Sequence, residues 1–311
     1  MKGDVIYRIF TSILLTTISL TFLRCDSGEN KLPRKDDNSS TPSLINRLPY
    51  SLEERFNGIY FEKFDSTIKD EKRFNYDNRI YREEAEFLFT YHVIDSKGVK
   101  YLLSDEKNDD NNSWSLTHPS ETDKKTIDKL LLRVLPGLGT FKRFPDYSQT
   151  VVEYSLVRND GKKLSVSCTG VVENEKNVWI HPPRMKNFRI LEFNPFPYIK
   201  RPYIIGNKWD WSLEIGSQWC PKNIEKWSGN INNIMDYEIT DTVMLKTGLG
   251  KIPCYKIVAT ASSKIGKTLL TSYFNSEFGF VKLDYINIDG TQVIFQLDQI
   301  ILKPIYKVNY N

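Results

Sequence analysis

Between residues 209 and 302 the chain alternates apolar and polar residues through six successive runs, and no other feature restricts its fold as strongly. Trp209, Trp211, Leu213 and Ile215 alternate with Asp210, Ser212 and Glu214, and Trp219 extends the apolar set. Met235, Tyr237, Ile239, Val243 and Leu245 repeat the pattern, followed by 254–261, 267–274, 280–286 and 291–302. Period two marks strands with one dry and one wet face. The connections SSKIG, NSEFG and NIDG are too short for crossovers, so these strands form an antiparallel meander.

The earlier part of the chain adds to it. In 79–93, Tyr81, Ala85, Phe87, Phe89, Tyr91 and Val93 share one face, while Arg82, Glu84, Glu86 and His92 share the other. Segments 150–157 and 162–172 flank Arg158-Asn159-Asp160-Gly161 as a hairpin would. One helix is expected: Ser120-Glu121-Thr122-Asp123 resembles a capping box, Ile127, Leu130, Leu131, Val134 and Leu135 follow at helical spacing, and Pro136-Gly137 ends the run. Segment 105–119 reads as a solvated loop. The 13% aromatic content suits a β-rich body.

The amino terminus points to export. Lys2 and Arg8 precede fifteen uncharged residues, 9–23 (IFTSILLTTISLTFL), which end at Arg24 and Cys25. As a helix this run spans about 22 Å, short of the ~30 Å bilayer core, so a secretory signal fits better than a membrane span. Thr21-Phe22-Leu23-Arg24-Cys25 resembles the lipobox of bacterial lipoproteins, with Phe22 where Leu is usual and Arg24 where a small residue is usual. The resemblance implies a signal peptide at 1–24, acylation at Cys25, and membrane attachment through that lipid. The other reading is an ordinary signal peptide or uncleaved anchor with an incidental cysteine. Residues 25–50, rich in Asp, Asn, Ser and Pro, read as a disordered tether reaching roughly 25–30 Å. Residues 51–311 then form a single β-rich domain.

Chemistry is sparse. With 43 basic and 39 acidic residues and no basic run, the charge gives no nucleic-acid footprint. Neither His92, His118 nor His181 has a ligand-spaced neighbour in sequence, so no metal site is expected. No phosphate-cradling glycine loop or nucleophile elbow appears, and no cofactor is expected. Cys168 falls in phase with Leu164, Val166 and Val172 as a core thiol. Cys254 shares its face with Lys256 and Thr260, awkward for a lone thiol in an oxidising compartment, which suggests a Cys220–Cys254 bridge; two free thiols is the other reading. The aromatic stretch 188–219 either fills a core or lines an apolar groove. Groove candidates are Trp209, Trp211, Trp219, Tyr237 and Ile239, with Phe196 and Tyr198 from the Pro-stiffened loop.

The runs VWIHPPR, LEFNPFPYIKRPYIIGNKWDW and SYFNSEFGFVKLDYINIDGTQ resemble poorly characterised bacterial envelope lipoproteins, whose β-meander is similar to the half-barrel of lipoprotein carriers and their outer-membrane receptor. The resemblance spans about 145–302. It implies an α+β, β-dominated fold: an antiparallel meander curved into a half-barrel-like sheet under one or two helices, with an apolar concave side that holds acyl chains in carriers. It also favours the outer over the inner membrane. The expected role is non-enzymatic: binding an apolar ligand or supporting envelope assembly. A carbohydrate- or protein-binding surface module is the first rival, and a hydrolase the second.

Overall fold

In the computed structural model, residues 50–64, 78–108, 113–136, 148–219 and 227–302 are described. They fall within one compact unit, Pro49–Asn311. The strands are β1 (Tyr50–Arg55), β2 (Ile59–Phe64), β3 (Ala85–Ile94), β4 (Lys100–Asn108), β5 (Ser113–Thr117), β6 (Thr126–Val134), β7 (Thr150–Arg158) and β8 (Lys163–Glu173). They continue with β9 (Asn177–Ile180), β10 (Tyr198–Lys200), β11 (Lys208–Gly216), β12 (Asn230–Thr247), β13 (Gly250–Ser263), β14 (Gly266–Asn275), β15 (Gly279–Ile286) and β16 (Gln292–Leu302). The β-dominated meander is as the alternation requires.

The sheet is centred on β3 and β16, which pair antiparallel. From β3 the order runs outward through β4, β6, β7, β8 and β9 to β10; from β16 it runs through β15, β14, β13 and β12 to β11. The two outermost strands are therefore consecutive in sequence, joined by residues 201–207. Laid flat, the thirteen strands of this path would separate those edges by about 57 Å, beyond the ~25 Å that seven residues span. The sheet has to roll until its edges meet.

The seam is closed by β1 and β2, a separate two-stranded hairpin. Tyr60 N–H donates to Asn177 Oδ1 at 2.8 Å and Tyr198 Oη to Gly58 O at 2.7 Å. On the other edge Trp211 Nε1 donates to Phe56 O and Asn57 Nδ2 to Ser212 Oγ, each at 2.7 Å.

Two expectations are corrected. Residues 126–134 are strand, not helix: Asp123 Oδ1 accepts from Lys125 N and Thr126 N at 2.9 Å, closing a turn into β6. In β6 both sheet faces are buried, so Leu130, Leu131 and Leu132 are all dry and the alternation is erased. Within segment 105–119, expected as a loop, residues 105–108 and 113–117 are strand. There β4 pairs β5, and Trp114 is buried against the 3-10 segment Lys186–Phe193, exchanging backbone bonds with the Asn187 side chain at 2.9 and 3.2 Å.

That 3-10 segment and the residues after it form the inner cover, where a helix was expected. Phe188, Leu191, Phe193 and Phe196 are fully buried. Polar residues on the inner face hold the segment's backbone: Asn233 Nδ2 and Thr268 Oγ1 donate to Phe193 O at 3.0 and 2.8 Å, and Tyr237 Oη to Phe196 O at 3.1 Å. Buried carbonyls need such donors, which explains polar side chains on an otherwise apolar wall.

One hairpin departs from the roll. A bulge at Thr240 shifts the β12–β13 register, and beyond it Tyr255 pairs with Thr242 and Cys254 with Val243. Past this bend Ile252, Cys254 and Thr247 are buried, whereas Met244, Lys246, Lys251 and Pro253 are exposed. The tip reaches β16: Gln296 Nε2 donates to Lys246 O at 3.1 Å, and Gly248 lies where a Cβ would collide with the Asp298 carbonyl. The hairpin thus curls over the outside of the sheet and covers Cys254.

Candidate functional site

The groove candidates come together, but as core. Trp209 stacks on Tyr237 with rings 8° apart and centroids at 5.4 Å. Tyr198 meets both edge-on, at 5.8 and 5.5 Å. Trp211 packs on Phe196 at 5.2 Å and on Trp179 at 5.8 Å. All are buried, as is Ile239. Trp219 stands apart, half-buried, with Arg184 and Arg189 over its ring at 5.4 and 5.3 Å. The concave side that would hold an acyl chain is occupied by this protein's own residues 188–196.

Below Trp179 and Phe196 lies a titratable pair that alternation does not reveal. His181 and Glu192, 6% and 5% exposed, approach to 3.5 Å. Burial raises the Glu192 carboxyl to about 7, against the pull of Arg184 and Arg189. Burial, helped by Arg184, drives the His181 imidazole well below its usual value. Below about pH 7 the pair is therefore a protonated acid beside a neutral imidazole, too long for a good hydrogen bond, rather than an ion pair. His181 Nδ1 faces Pro182 O at 2.7 Å, and the ring lies 4.7 Å from that of Phe196. The one sequence signal was a glutamate inside the apolar run RILEFNPF.

A nucleophile served by histidine was the remaining catalytic arrangement. His118 Nδ1 lies 2.6 Å from Ser120 Oγ, two residues away on an exposed turn, and also accepts from Ser120 N. Among the described residues no carboxylate orients this imidazole, so the contact is a cap on the 3-10 turn Pro119–Glu121 rather than a triad. His92 is half-buried, and burial, then Lys100, lowers its pKa. Among the described residues no group of three or more His, Cys, Asp or Glu side chains is placed to hold a metal.

Cys254 is a free, buried thiol raised by that burial to about 11. It does lie on the face of Lys256, as its spacing predicts, but the curled hairpin shields it, so the reason for expecting a bridge disappears. Cys25 and Cys220 lie outside the described residues.

No family model and no curated protein matches the chain. Among the solved structures similar to it are two of bacterial proteins. One, a candidate exported protein with a YmcC-like fold from Bacteroides fragilis, is 12% identical with a TM-score of 0.34. The other, a candidate lipoprotein from Parabacteroides distasonis, is 11% identical with a TM-score of 0.38. Each alignment covers 71% of this chain and 97% of the other. Their descriptions coincide with the envelope-lipoprotein resemblance of the sequence, although overlaps this loose carry no argument about function.

Proposed function

We propose that the chain is a lipid-anchored envelope protein, sited at the outer membrane, whose rolled β-body acts through its surface and does not carry an acyl chain inside. The occupied interior is the observation behind this reading. A carrier of this architecture needs separation between sheet and cover, and here Phe188, Leu191, Phe193 and Phe196 fill it. The segment is also tied to three strands: Asn233 of β12 and Thr268 of β14 donate to Phe193 O, and the Asn194 side chain donates to Ile286 O of β15 at 2.9 Å. Displacing it would strand those buried groups.

The test is titration of the body, residues 49–311, with a fluorescent long-chain fatty acid. No saturable binding is expected. Stoichiometric binding that Trp211→Ala abolishes would restore the carrier.

A further inference from the structure

The loop that joins the sheet's two edges carries the most exposed adjacent aliphatic pair among the described residues: Ile204 is 59% and Ile205 54% exposed. This loop is braced from beneath. Tyr203 packs its ring on Tyr255 and Phe274 at 5.5 and 5.3 Å, and Asn207 Nδ2 donates to Pro202 O at 3.0 Å. Gly206 N–H donates to Ile239 O at 2.7 Å, and Ile239 N–H to Asn207 O at 3.0 Å, extending the β11–β12 ladder into the loop. A segment fixed this well does not expose two isoleucines through slack.

The curled hairpin continues the same rim. Tyr255, beneath Tyr203, pairs with Thr242; two residues on, on the same side, stands Met244, 61% exposed and opposite Pro253. One step further Lys246 faces Lys251 across the ladder, both exposed and, among the described residues, without an ion pair. Like charges directly opposite each other oppose hairpin formation unless an anion lies near. Exposed Arg201 sits over the Tyr203 ring at 4.6 Å. Acids near this rim include Asp241, whose carboxylate accepts from Thr242 N at 2.7 Å, and Glu277 in the β14–β15 turn beside Pro253. Glu238 pairs with Lys208 at 3.2 Å, and Asp298, beside Gly248 at the hairpin tip, is held by Lys129 at 3.3 Å.

We propose that this rim docks on an anionic lipid bilayer, with Ile204, Ile205 and Met244 entering the interface and Arg201, Lys246 and Lys251 meeting headgroup phosphates. Aliphatic tips, tyrosines one layer behind and cations around them match the depth order of a membrane interface. The proposal rests on the reading of the body as a surface-acting module, but not on the lipid at Cys25.

The experiment is co-sedimentation of the body, residues 49–311, with vesicles of phosphatidylcholine alone or mixed with phosphatidylglycerol. Binding to the mixed vesicles is expected, weakened by high salt. Ile204→Ser with Ile205→Ser should reduce it about tenfold or more, with an unchanged melting temperature because both residues are exposed. Lys246→Gln with Lys251→Gln should lower binding to mixed vesicles only. Absent binding by the wild-type body, or equal binding by the isoleucine variant, overturns the proposal. So does isoleucine-dependent self-association in sedimentation equilibrium, which would make a second copy the occupant. Failure here with no fatty-acid uptake leaves the surface-module reading standing; fatty-acid uptake removes that reading instead.

Discussion

Trp211 donates its indole N–H to the carbonyl of Phe56 at 2.7 Å, and Phe56 is held in left-handed backbone at φ 48°. A bulky residue tolerates that conformation only where its surroundings over-determine it. Here the Phe61 ring meets Phe56 edge-on at 5.3 Å, and Asn57 is tied to Ser212 on the same strand as Trp211. The β11 side of the seam thus rests on this indole and on the Asn57–Ser212 bond.

Trp211→Phe should therefore cost about 1–3 kcal/mol, since it leaves the Phe56 carbonyl without its donor. Trp211→Ala should cost about 3–5 kcal/mol through the added cavity. Urea unfolding measures both. A phenylalanine variant as stable as wild type would show that the seam does not depend on this bond.

The buried acid–imidazole pair sets a pH signature. The unfolded chain releases the Glu192 proton near 4.5 while the folded protein keeps it to about 7, so rising pH across that window favours unfolding. His181 acts oppositely: below 6.5 the unfolded chain takes up a proton that the folded protein refuses, so falling pH favours unfolding. Between 4.5 and 6.5 the two slopes oppose each other. Glu192→Gln removes one of them. Relative to wild type, the variant should gain about 1.4 kcal/mol per pH unit on going from about pH 5 to about pH 6. Parallel pH dependences in denaturant titrations would contradict the assignment.

Cys254 reports on the hairpin curl. As a covered thiol of pKa about 11 it should resist iodoacetamide in the folded protein at neutral pH. Gly248→Val places a side chain against the Asp298 carbonyl and should lift the tip, accelerating alkylation about tenfold without global unfolding. Peptide mapping by mass spectrometry reads the rate. Mapping without reduction also shows whether Cys254 is joined to Cys220.

Replacement of the proposed acylation site, Cys25→Ser, should move the full chain out of the lipid-labelled pool and weaken its hold on the membrane fraction. Residual, salt-sensitive association is expected from the rim around Ile204 and Ile205. Metabolic labelling with a palmitate analogue measures the first effect and carbonate-free fractionation the second. An unlabelled wild-type protein would reject the anchor.

Strands with one wet face were legible in the sequence. The runs 209–215 and 267–274 lie in β11 and β14, with Trp209, Trp211 and Ile215 buried in the first and Leu270 and Phe274 in the second. Residues 126–134 were not legible, because Leu131 is buried on the face opposite Leu130 and Leu132, and an apolar run without gaps fits either period. At the candidate site, alternation located the dry face that holds Trp209, Trp211 and Tyr237 but not what dries it. The cover is a 3-10 segment, whose period matches neither template. The cover over Cys254 was not legible for a related reason: the bulge at Thr240 turns a wet face into a covered one, and one extra residue leaves no trace in composition.

The pairing of β3 with β16 has a consequence in time. Thr90 Oγ1 meets Gln296 O at 3.3 Å across 206 residues of chain, at the centre of the sheet rather than its margin. Every strand from β4 to β15 lies between these partners in sequence, so the roll has no middle until the last strand has been synthesised. A pairing across so many residues is slow to close. During synthesis hairpins such as β12–β13 can pair as they emerge, but closure of the roll waits for β16.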